Sequence, residues 1–151
     1  MALKVGDQIP NFSATDTNGN LFESSTVVGT KPVVIYFYPK DNTPGCTAQA
    51  CSFRDQYQDF TDIGAEVIGI SSDNQKSHEK FSKQHNLPFI LLSDNKKTIR
   101  NLFGVPTGLL GLLPGRVTYV ADKNGIIKMI FDSMLATKHI PKALEAIKKL
   151  D

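Results

Sequence analysis

Residues 32–46 have the sequence PVVIYFYPKDNTPGC, in which a β-branched and aromatic run leads directly into a turn and the start of a helix. The run over residues 32–38 is continuous, which is typical of a strand buried on both faces of a sheet. Thr43 is a favourable N-cap, and Pro44 suits the first position of a helix. We therefore expect Cys46 in the first turn of a helix that directly follows a buried strand.

The predicted position of Cys46 is about the third residue of that helix, where backbone N–H groups have no partner within the helix. The helix macrodipole favours a negative charge there, so we expect the thiol to ionise more readily than free cysteine. A buried cysteine can equally be an inert small hydrophobic residue. The second cysteine of the chain, Cys51, and the polar neighbours at the mouth of the strand favour a reactive site.

Length and composition limit the possible functions. The chain has 151 residues, of which 40% are hydrophobic, so we expect one domain over residues 1–151. A net charge of +2 is too small and too evenly spread to indicate nucleic acid or an anionic membrane as a partner. No secretory signal is recognisable, and two cysteines do not make a disulfide scaffold. We expect a reducing compartment, the cytoplasm, or a plastid for a mature chain that has lost its transit peptide.

Hydrophobic patterning predicts a β-α-β-α-β order followed by β-β-α, after an N-terminal hairpin with a type I′ turn at Asn18-Gly19. The predicted helices cover 43–60, 74–84, 97–103 and 141–150, and the predicted strands cover 32–38, 65–71, 89–92, 116–121 and 126–131. This order predicts an α/β protein with a central mixed sheet and helices on both faces. It is the layout of a thioredoxin-like fold with an N-terminal hairpin extension. In such sheets the working site lies at the carboxyl end of an inner strand, where Cys46 is placed.

The segment from Tyr36 to Thr47 resembles the active-site segment of the peroxiredoxins. The spacing of Cys46 and Cys51 resembles that of the atypical 2-Cys peroxiredoxins, in the peroxiredoxin Q or bacterioferritin-comigratory subgroup. The resemblance extends over essentially the whole chain and includes residues 66–71, 87–89, 91–94 and 114–116. It implies a thiol-dependent peroxidase that reduces hydrogen peroxide and organic hydroperoxides, with a role in antioxidant defence and redox homeostasis.

The same resemblance implies a role for individual residues. Cys46 would be the peroxidatic cysteine, which becomes a sulfenic acid, and Cys51 the resolving cysteine, which closes an intramolecular disulfide. Pro39, Thr43 and Arg116 would complete the active site. Thioredoxin or a similar dithiol protein is the implied reductant, and no cofactor or metal is implied. The chain has no third cysteine for an intermolecular scheme, so a monomer is expected.

These residue types suit the reduction of a peroxide. When a thiolate attacks the O–O bond, the departing oxygen takes on negative charge, which hydrogen-bond donors can stabilise. The candidate donors are the backbone N–H groups of Gly45 and Cys46, the Thr43 hydroxyl and the Arg116 guanidinium. The guanidinium has a permanent charge, and its planar fork can bridge sulfur and a peroxide oxygen. Pro39 has no N–H to offer and would shape and dry the pocket.

Several of these residues also have an ordinary structural interpretation. Thr43 can be only an N-cap, Pro39 can simply end the strand, and Arg116 can be a solvated loop residue. Arg54, about two helical turns beyond Cys46, can face the same pocket or pair with a neighbouring aspartate on the surface.

The histidines give little support for a metal site. His78, His85 and His139 are predicted on two different helices, and together with two cysteines they do not make a four-ligand zinc pattern.

Two other functions compete with a peroxidase: a general thioredoxin-type disulfide oxidoreductase, and a non-catalytic module in which the cysteines form a structural staple. Against the first, the cysteines are five residues apart rather than three, and residues 115–116 replace a cis-proline. Against the second, two cysteines at this spacing in one regular helix have Cα atoms about 8.7 Å apart. A disulfide requires a separation within about 7 Å. The helix between residue 43 and about residue 54 would therefore have to unwind for the bond to form.

Overall fold

The computed structural model describes residues 2–105, 107–108, 113–133 and 135–150 of the chain. In these ranges the strands are β1 (Ser13–Asp16), β2 (Leu21–Glu23), β3 (Val33–Phe37), β4 (Glu66–Ser71), β5 (Ile90–Ser93), β6 (Thr107–Gly108), β7 (Leu113–Pro114), β8 (Val117–Ala121) and β9 (Ile127–Asp132). The helices are α1 (Pro44–Asp55), α2 (Tyr57–Asp62), α3 (Gln75–His85), α4 (Thr98–Phe103) and α5 (His139–Lys148). No helix in the described ranges is both long enough and apolar enough to cross a membrane.

Seven strands form one mixed sheet in the order β2-β1-β5-β4-β3-β8-β9. The three inner strands β3, β4 and β5 are parallel, the β8–β9 hairpin adds to one side, and the β1–β2 hairpin adds to the other. The predicted α/β fold, with its mixed sheet and N-terminal hairpin extension, is confirmed. β6 and β7 form a separate two-stranded ribbon immediately before β8.

Both faces of β3 are buried, which is why its sequence does not alternate between polar and apolar residues. All five of its residues are at most 1% exposed. One face contributes to a core with side chains from α1, α2, α3 and α5, among them Phe53, Phe60, Phe81 and Ile147. The other face contributes to a second core with α4 and the N-terminal segment, including Phe12, Ile99 and Phe103.

The register of β3 brings distant parts of the chain together at one end of the sheet. Phe37, the last residue of β3, is paired with Ile70 of β4 and with Val117 of β8. The loop that follows β3 and the residue that precedes β8, Arg116, therefore lie at the same end. Because α1 begins after that loop, the start of this helix faces Arg116 across the end of the sheet.

The single helix predicted over residues 43–60 is wrong. α1 ends at Asp55, and Gln56 has φ −107° and ψ 8°, outside the helical region, before α2 begins. The break turns the chain so that Phe60 packs beside Phe53, with ring centroids 5.8 Å apart. It also lets the Tyr57 hydroxyl donate to the Glu66 carboxylate at 2.8 Å. These tertiary contacts override the helical periodicity from which one helix was predicted.

The N-terminal hairpin forms, but without the predicted type I′ turn. That turn requires positive φ at both central residues, and in this loop Gly19 has it (φ +83°) whereas Asn18 does not. The Asp16 carboxylate instead accepts hydrogen bonds from the backbone N–H groups of Asn18 and Asn20, at 2.9 and 3.0 Å. An aspartate that binds the backbone of its own turn in this way stabilises a longer connection between β1 and β2.

Candidate active site

α1 begins where the sequence predicts, with Thr43 as the N-cap residue and Pro44 as the first helical residue. Cys46 is the third residue of the helix and is 1% exposed. The Thr43 side chain makes no capping hydrogen bond, contrary to the interpretation of Thr43 as a capping side chain. Its hydroxyl donates to the backbone carbonyl of Lys40 at 2.9 Å and so closes the loop before the helix.

The Arg116 guanidinium contacts Cys46 directly. Nη2 of Arg116 donates to Sγ of Cys46 at 3.3 Å, and Nη1 donates to Oε1 of Gln49. Arg116 is 4% exposed, so its interpretation as a solvated loop residue is wrong. The contact places a permanent positive charge and a planar donor fork directly beside the sulfur atom.

Gln49 completes this contact and was not predicted from the sequence. It is fully buried, and its Oε1 fixes one arm of the Arg116 fork while the other arm reaches the sulfur. Gln49 lies three residues after Cys46, and residues at that spacing share one face of a helix. This spacing was the signal that could have identified it once Cys46 was placed in a helix.

Gly45 leaves the space that the guanidinium occupies. A Cβ atom at this position would lie 3.1 Å from Nη2 of Arg116, closer than an ordinary van der Waals contact. The residue that precedes Cys46 is thus small at the point where the guanidinium approaches the sulfur.

Arg100 joins the two backbone segments that carry the predicted site residues, and it too was missed. Its Nη1 donates to the carbonyl of Gly115 at 3.3 Å, and its Nη2 donates to the carbonyl of Tyr38 at 3.4 Å. These are the residues immediately before Arg116 and Pro39. Burial lowers the pKa of Arg100 from its ordinary value. Nothing in the sequence around a lone arginine in a short helix indicates such a role.

Pro39 lies half-buried, two residues after the end of β3 and next to Tyr38. Cys51 is also half-buried and lies in α1, on the same helix as Cys46, and both thiols are free. At this spacing in a regular helix the two Cα atoms are about 8.7 Å apart. This exceeds the limit of about 7 Å for a disulfide, so the interpretation of the pair as a structural staple is wrong.

Arg54 does not join the site. Its Nε donates to the Asp55 carboxylate at 2.9 Å, and its Nη1 donates to the carbonyl of His85 at 2.8 Å. Of the two interpretations of Arg54, the surface pairing with a neighbouring aspartate, here Asp55, is confirmed.

The histidines do not converge on the two cysteines. His78 and His85 lie in α3, and His139 lies in α5. In the described part of the chain, Asp41, Asp73 and His78 have side-chain oxygen and nitrogen atoms within 4.8 Å of one another. The prediction that no metal is needed stays a prediction.

The chain matches the AhpC/TSA family over residues 5–130. It is 49% identical over 146 residues to the chloroplastic peroxiredoxin Q of Oryza sativa subsp. japonica, an alignment that covers 96% of this chain and 67% of that protein. It is 48% identical over 146 residues to the chloroplastic peroxiredoxin Q of Sedum lineare, with 96% of this chain and 78% of that protein covered.

Solved structures show the same similarity. Peroxidoxin BcpB from Mycobacterium tuberculosis has a TM-score of 0.90 and 35% sequence identity, with 99% of each chain covered. The bacterioferritin comigratory protein of Xanthomonas campestris, described as having alkyl peroxide reduction activity, has a TM-score of 0.82 and 27% identity. That similarity covers 91% of this chain and 90% of the other.

Proposed function

The chain belongs to the AhpC/TSA family and is a thiol-dependent peroxidase of the peroxiredoxin Q type, and from that premise we propose that Cys46 is the peroxidatic cysteine and Cys51 the resolving cysteine. The observation that carries this assignment is the hydrogen bond from Arg116 Nη2 to Cys46 Sγ, 3.3 Å long and buried at the start of α1. Cys51 has no such partner among its described contacts.

In the first step the Cys46 thiolate attacks one oxygen of the hydroperoxide, and the O–O bond breaks. Sulfur is oxidised to the sulfenic acid, and the other oxygen leaves as an alkoxide or hydroxide that takes up a proton. Arg116 supports this step because its charge remains while negative charge moves from sulfur to the departing oxygen. Gln49 holds the guanidinium in place, so little reorganisation is needed when the peroxide arrives.

Thr43 and Pro39 act on the peroxide in different ways. The hydrogen of the Thr43 hydroxyl is engaged by Lys40, which leaves the lone pairs of its oxygen to accept the O–H of the incoming peroxide. In this arrangement Thr43 orients the peroxide by accepting a hydrogen bond from it. The sequence instead predicts Thr43 as the donor. Pro39, two residues after the end of β3, offers no backbone N–H that would bind water.

In the second step the Cys51 thiol attacks the sulfenic sulfur, the S–S bond forms, and the oxygen leaves as water. α1 must open for this step, since both cysteines lie in one helix. A dithiol protein of the thioredoxin type then reduces the disulfide through a mixed disulfide, which restores both thiols. The chloroplastic location of the curated relatives favours a plastid over the cytoplasm for this protein, and the scheme needs no second subunit.

Single-turnover measurements on Cys46→Ser and Cys51→Ser test this assignment. We expect Cys46→Ser to consume no peroxide, because serine is nearly isosteric but is not a thiolate. Cys51→Ser should consume one equivalent and stop as a sulfenic acid that mass spectrometry detects. Substantial peroxide turnover by Cys46→Ser would refute the assignment. A protein that reduces insulin disulfides with thioredoxin-like efficiency but turns over no peroxide would instead be a general disulfide oxidoreductase.

A further inference from the structure

A buried polar cluster fastens the loop between β3 and α1 to α3 and to the segment between β4 and α3. Asp41, in this loop, is 4% exposed. Its carboxylate accepts hydrogen bonds from the hydroxyls of Tyr38, at 2.6 Å, and Ser77, at 2.8 Å. Its Oδ2 also lies 2.7 Å from Nδ1 of His78, and its backbone N–H donates to the Asp73 carboxylate at 2.8 Å. The loop is therefore held from two neighbouring elements at once.

The hydrogen bonds of His78 require a proton between it and Asp41. Nε2 of His78 lies 2.9 Å from the carbonyl oxygen of Leu92, which can only accept, so Nε2 carries a hydrogen. Nδ1 faces Oδ2 of Asp41, and two bare lone pairs are not held at such a distance in a protein interior. One proton is thus shared by the two groups, which gives the pair no net charge. The side chains are 0% and 1% exposed, so solvent does not provide this compensation.

The pair lies near Cys46 along the chain, and aromatic rings connect it with the core that contains Cys46. Asp41 precedes the N-cap Thr43 by two residues, and Cys46 is the third residue of the helix. The ring of Tyr38, whose hydroxyl donates to Asp41, packs against the ring of Tyr36, with centroids 5.4 Å apart. Both rings belong to the same buried core as Cys46, so a charge on Asp41 would be screened only weakly from the sulfur.

We propose that His78 is a positioning residue for Cys46, acting through Asp41; this rests on the proposed role of Cys46 as the reacting thiol. The shared proton fixes the loop of residues 39–43, from which α1 starts. It also cancels a buried carboxylate charge that would otherwise oppose the Cys46 thiolate. As a general scale, two like unit charges about 10 Å apart at an effective dielectric constant near 20 oppose each other enough to change an ionisation equilibrium roughly tenfold.

The test uses four variants in a Cys51→Ser background. His78→Leu leaves the Asp41 carboxylate buried and uncompensated. Asp41→Asn retains the hydrogen bonds, because its amide can donate to neutral His78 and to Ser77 while its oxygen accepts from Tyr38. Asp41→Asn/His78→Leu removes the charge and the anchor together. His85→Leu is the matched control, since His85 lies on α3 outside the cluster.

Two rates are measured at pH 7: oxidation of Cys46 by hydrogen peroxide and its alkylation by iodoacetamide. We expect His78→Leu to be at least about 30-fold slower in both, through a roughly tenfold charge effect and a further loss from the displaced loop. The double variant should regain about tenfold of this loss, because the uncompensated charge is gone. Asp41→Asn should stay within about threefold of the parent, and His85→Leu within about twofold.

Two kinetic outcomes would overturn the proposal: His78→Leu reacting within twofold of the parent, or the double variant reacting as slowly as His78→Leu. Nitrogen-15 shifts of the His78 ring and the carbon-13 shift of the Asp41 carboxyl provide a readout that does not depend on activity. They should show two protons on the pair at pH 7, one on Nε2 and one between Nδ1 and Oδ2. A neutral ring beside an ionised carboxylate, which has only one proton, would also refute the proposal.

The design remains decisive if one variant or the peroxidase assignment fails. Should His78→Leu not fold, the double variant is compared with Asp41→Asn, and equal rates would exclude the anchoring role of His78. If the parent protein does not react with peroxide, the proposed function fails. The alkylation rates still rank the variants in that case.

Discussion

Gln49 and Arg116 are partners at the candidate active site: Oε1 of Gln49 accepts a hydrogen bond from Nη1 of the guanidinium whose Nη2 donates to Cys46 Sγ. One residue comes from α1 and the other precedes β8, so this contact joins the reactive helix to the sheet. The two ends of the Arg116 guanidinium thus have different roles. Nη1 is held by Gln49, and Nη2 is available to the sulfur and to a peroxide.

Replacing Gln49 by leucine should slow the oxidation of Cys46 by about tenfold. Leucine has a similar size but leaves one arm of a buried guanidinium without an acceptor, which costs about 1–3 kcal/mol. The freed arm lets Arg116 turn away from the sulfur. Stopped-flow oxidation by hydrogen peroxide measures the effect, and Gln58→Leu, on the exposed face of α2, is the control. A rate within twofold of the native protein would show that Arg116 is held without Gln49.

Replacing Arg116 by lysine should slow the same step by about 100-fold, the usual loss when one preorganised donor of a transition state is removed. An ammonium group cannot contact Gln49 and the sulfur with a planar fork, and it is more strongly hydrated. The thiolate fraction of Cys46 at pH 7, followed by ultraviolet absorbance, should fall in parallel. Arg54→Lys is the matched control, because Arg54 faces away from the site. An unchanged rate and thiolate fraction would remove Arg116 from the mechanism.

Gly45→Ala should separate the stability of α1 from the reactivity of its thiol. Alanine favours a helix by about 1 kcal/mol over glycine, so the free energy of unfolding should not decrease. Its Cβ would lie 3.1 Å from Arg116 Nη2 and push the guanidinium off the sulfur. We expect oxidation about tenfold slower in a protein at least as stable as the native one. Ala48→Gly, on the exposed face of α1, should show the opposite pattern, with lower stability and native reactivity.

Oxidation should unwind the first turns of α1. The two Cα atoms must approach from about 8.7 Å to within about 7 Å before a disulfide can form. The oxidised protein also loses the anion that the helix N-terminus favours. Amide hydrogen exchange should therefore be much faster over residues 46–54 in the oxidised than in the reduced protein, with β3 unchanged as an internal control. Equal protection in both states, once the disulfide is verified, would exclude this mechanism.

His139 should make the protein less stable in mild acid. It is fully buried, its Nε2 lies 2.6 Å from the Ser133 carbonyl, and its Nδ1 lies 2.7 Å from the Thr118 hydroxyl. Burial lowers the pKa of His139 from its ordinary value of 6.5, and the Arg116 charge lowers it further, against the opposing effect of the Ser133 hydrogen bond.

Since the unfolded chain binds this proton at higher pH than the folded protein, stability is complete above about pH 6.5 and is lost as the pH falls. Denaturant titrations between pH 7 and 5.5 should show a decline of up to about 1.4 kcal/mol per pH unit from this group. His139→Gln should flatten the decline, whereas His85→Gln should leave it unchanged. An equally steep decline in His139→Gln would assign it to other groups.

The sequence predicted those features whose cause is local. The β-branched run of β3, the Thr43-Pro44 helix start and the position of Cys46 depend on neighbours within a few residues, and the structure has them where expected. The break at Gln56 was not predictable in this way, because it depends on where Phe60 and Tyr57 find partners in the folded sheet.

The site residues can likewise be separated into those with a local signal in the sequence and those whose role depends on tertiary contacts. Arg116 was identified through a resemblance to known proteins, since no local pattern connects it with a cysteine 70 residues earlier. Gln49 had a local signal in its spacing from Cys46, but Arg100 and His78 had none. Their roles come from carbonyl and carboxylate groups that the sheet register brings within hydrogen-bond distance.

The pairing of β3 with β8 also has a consequence during synthesis of the chain. The amino-terminal part of a protein leaves the ribosome first, so the Cys46 thiol emerges 70 residues before Arg116. During that interval the thiol lacks the guanidinium that contacts it in the folded protein. Only when Val117 pairs with Phe37 does the guanidinium reach the sulfur. If Cys46 is the reacting thiol, as proposed, its complete environment forms only after β8 has joined the sheet.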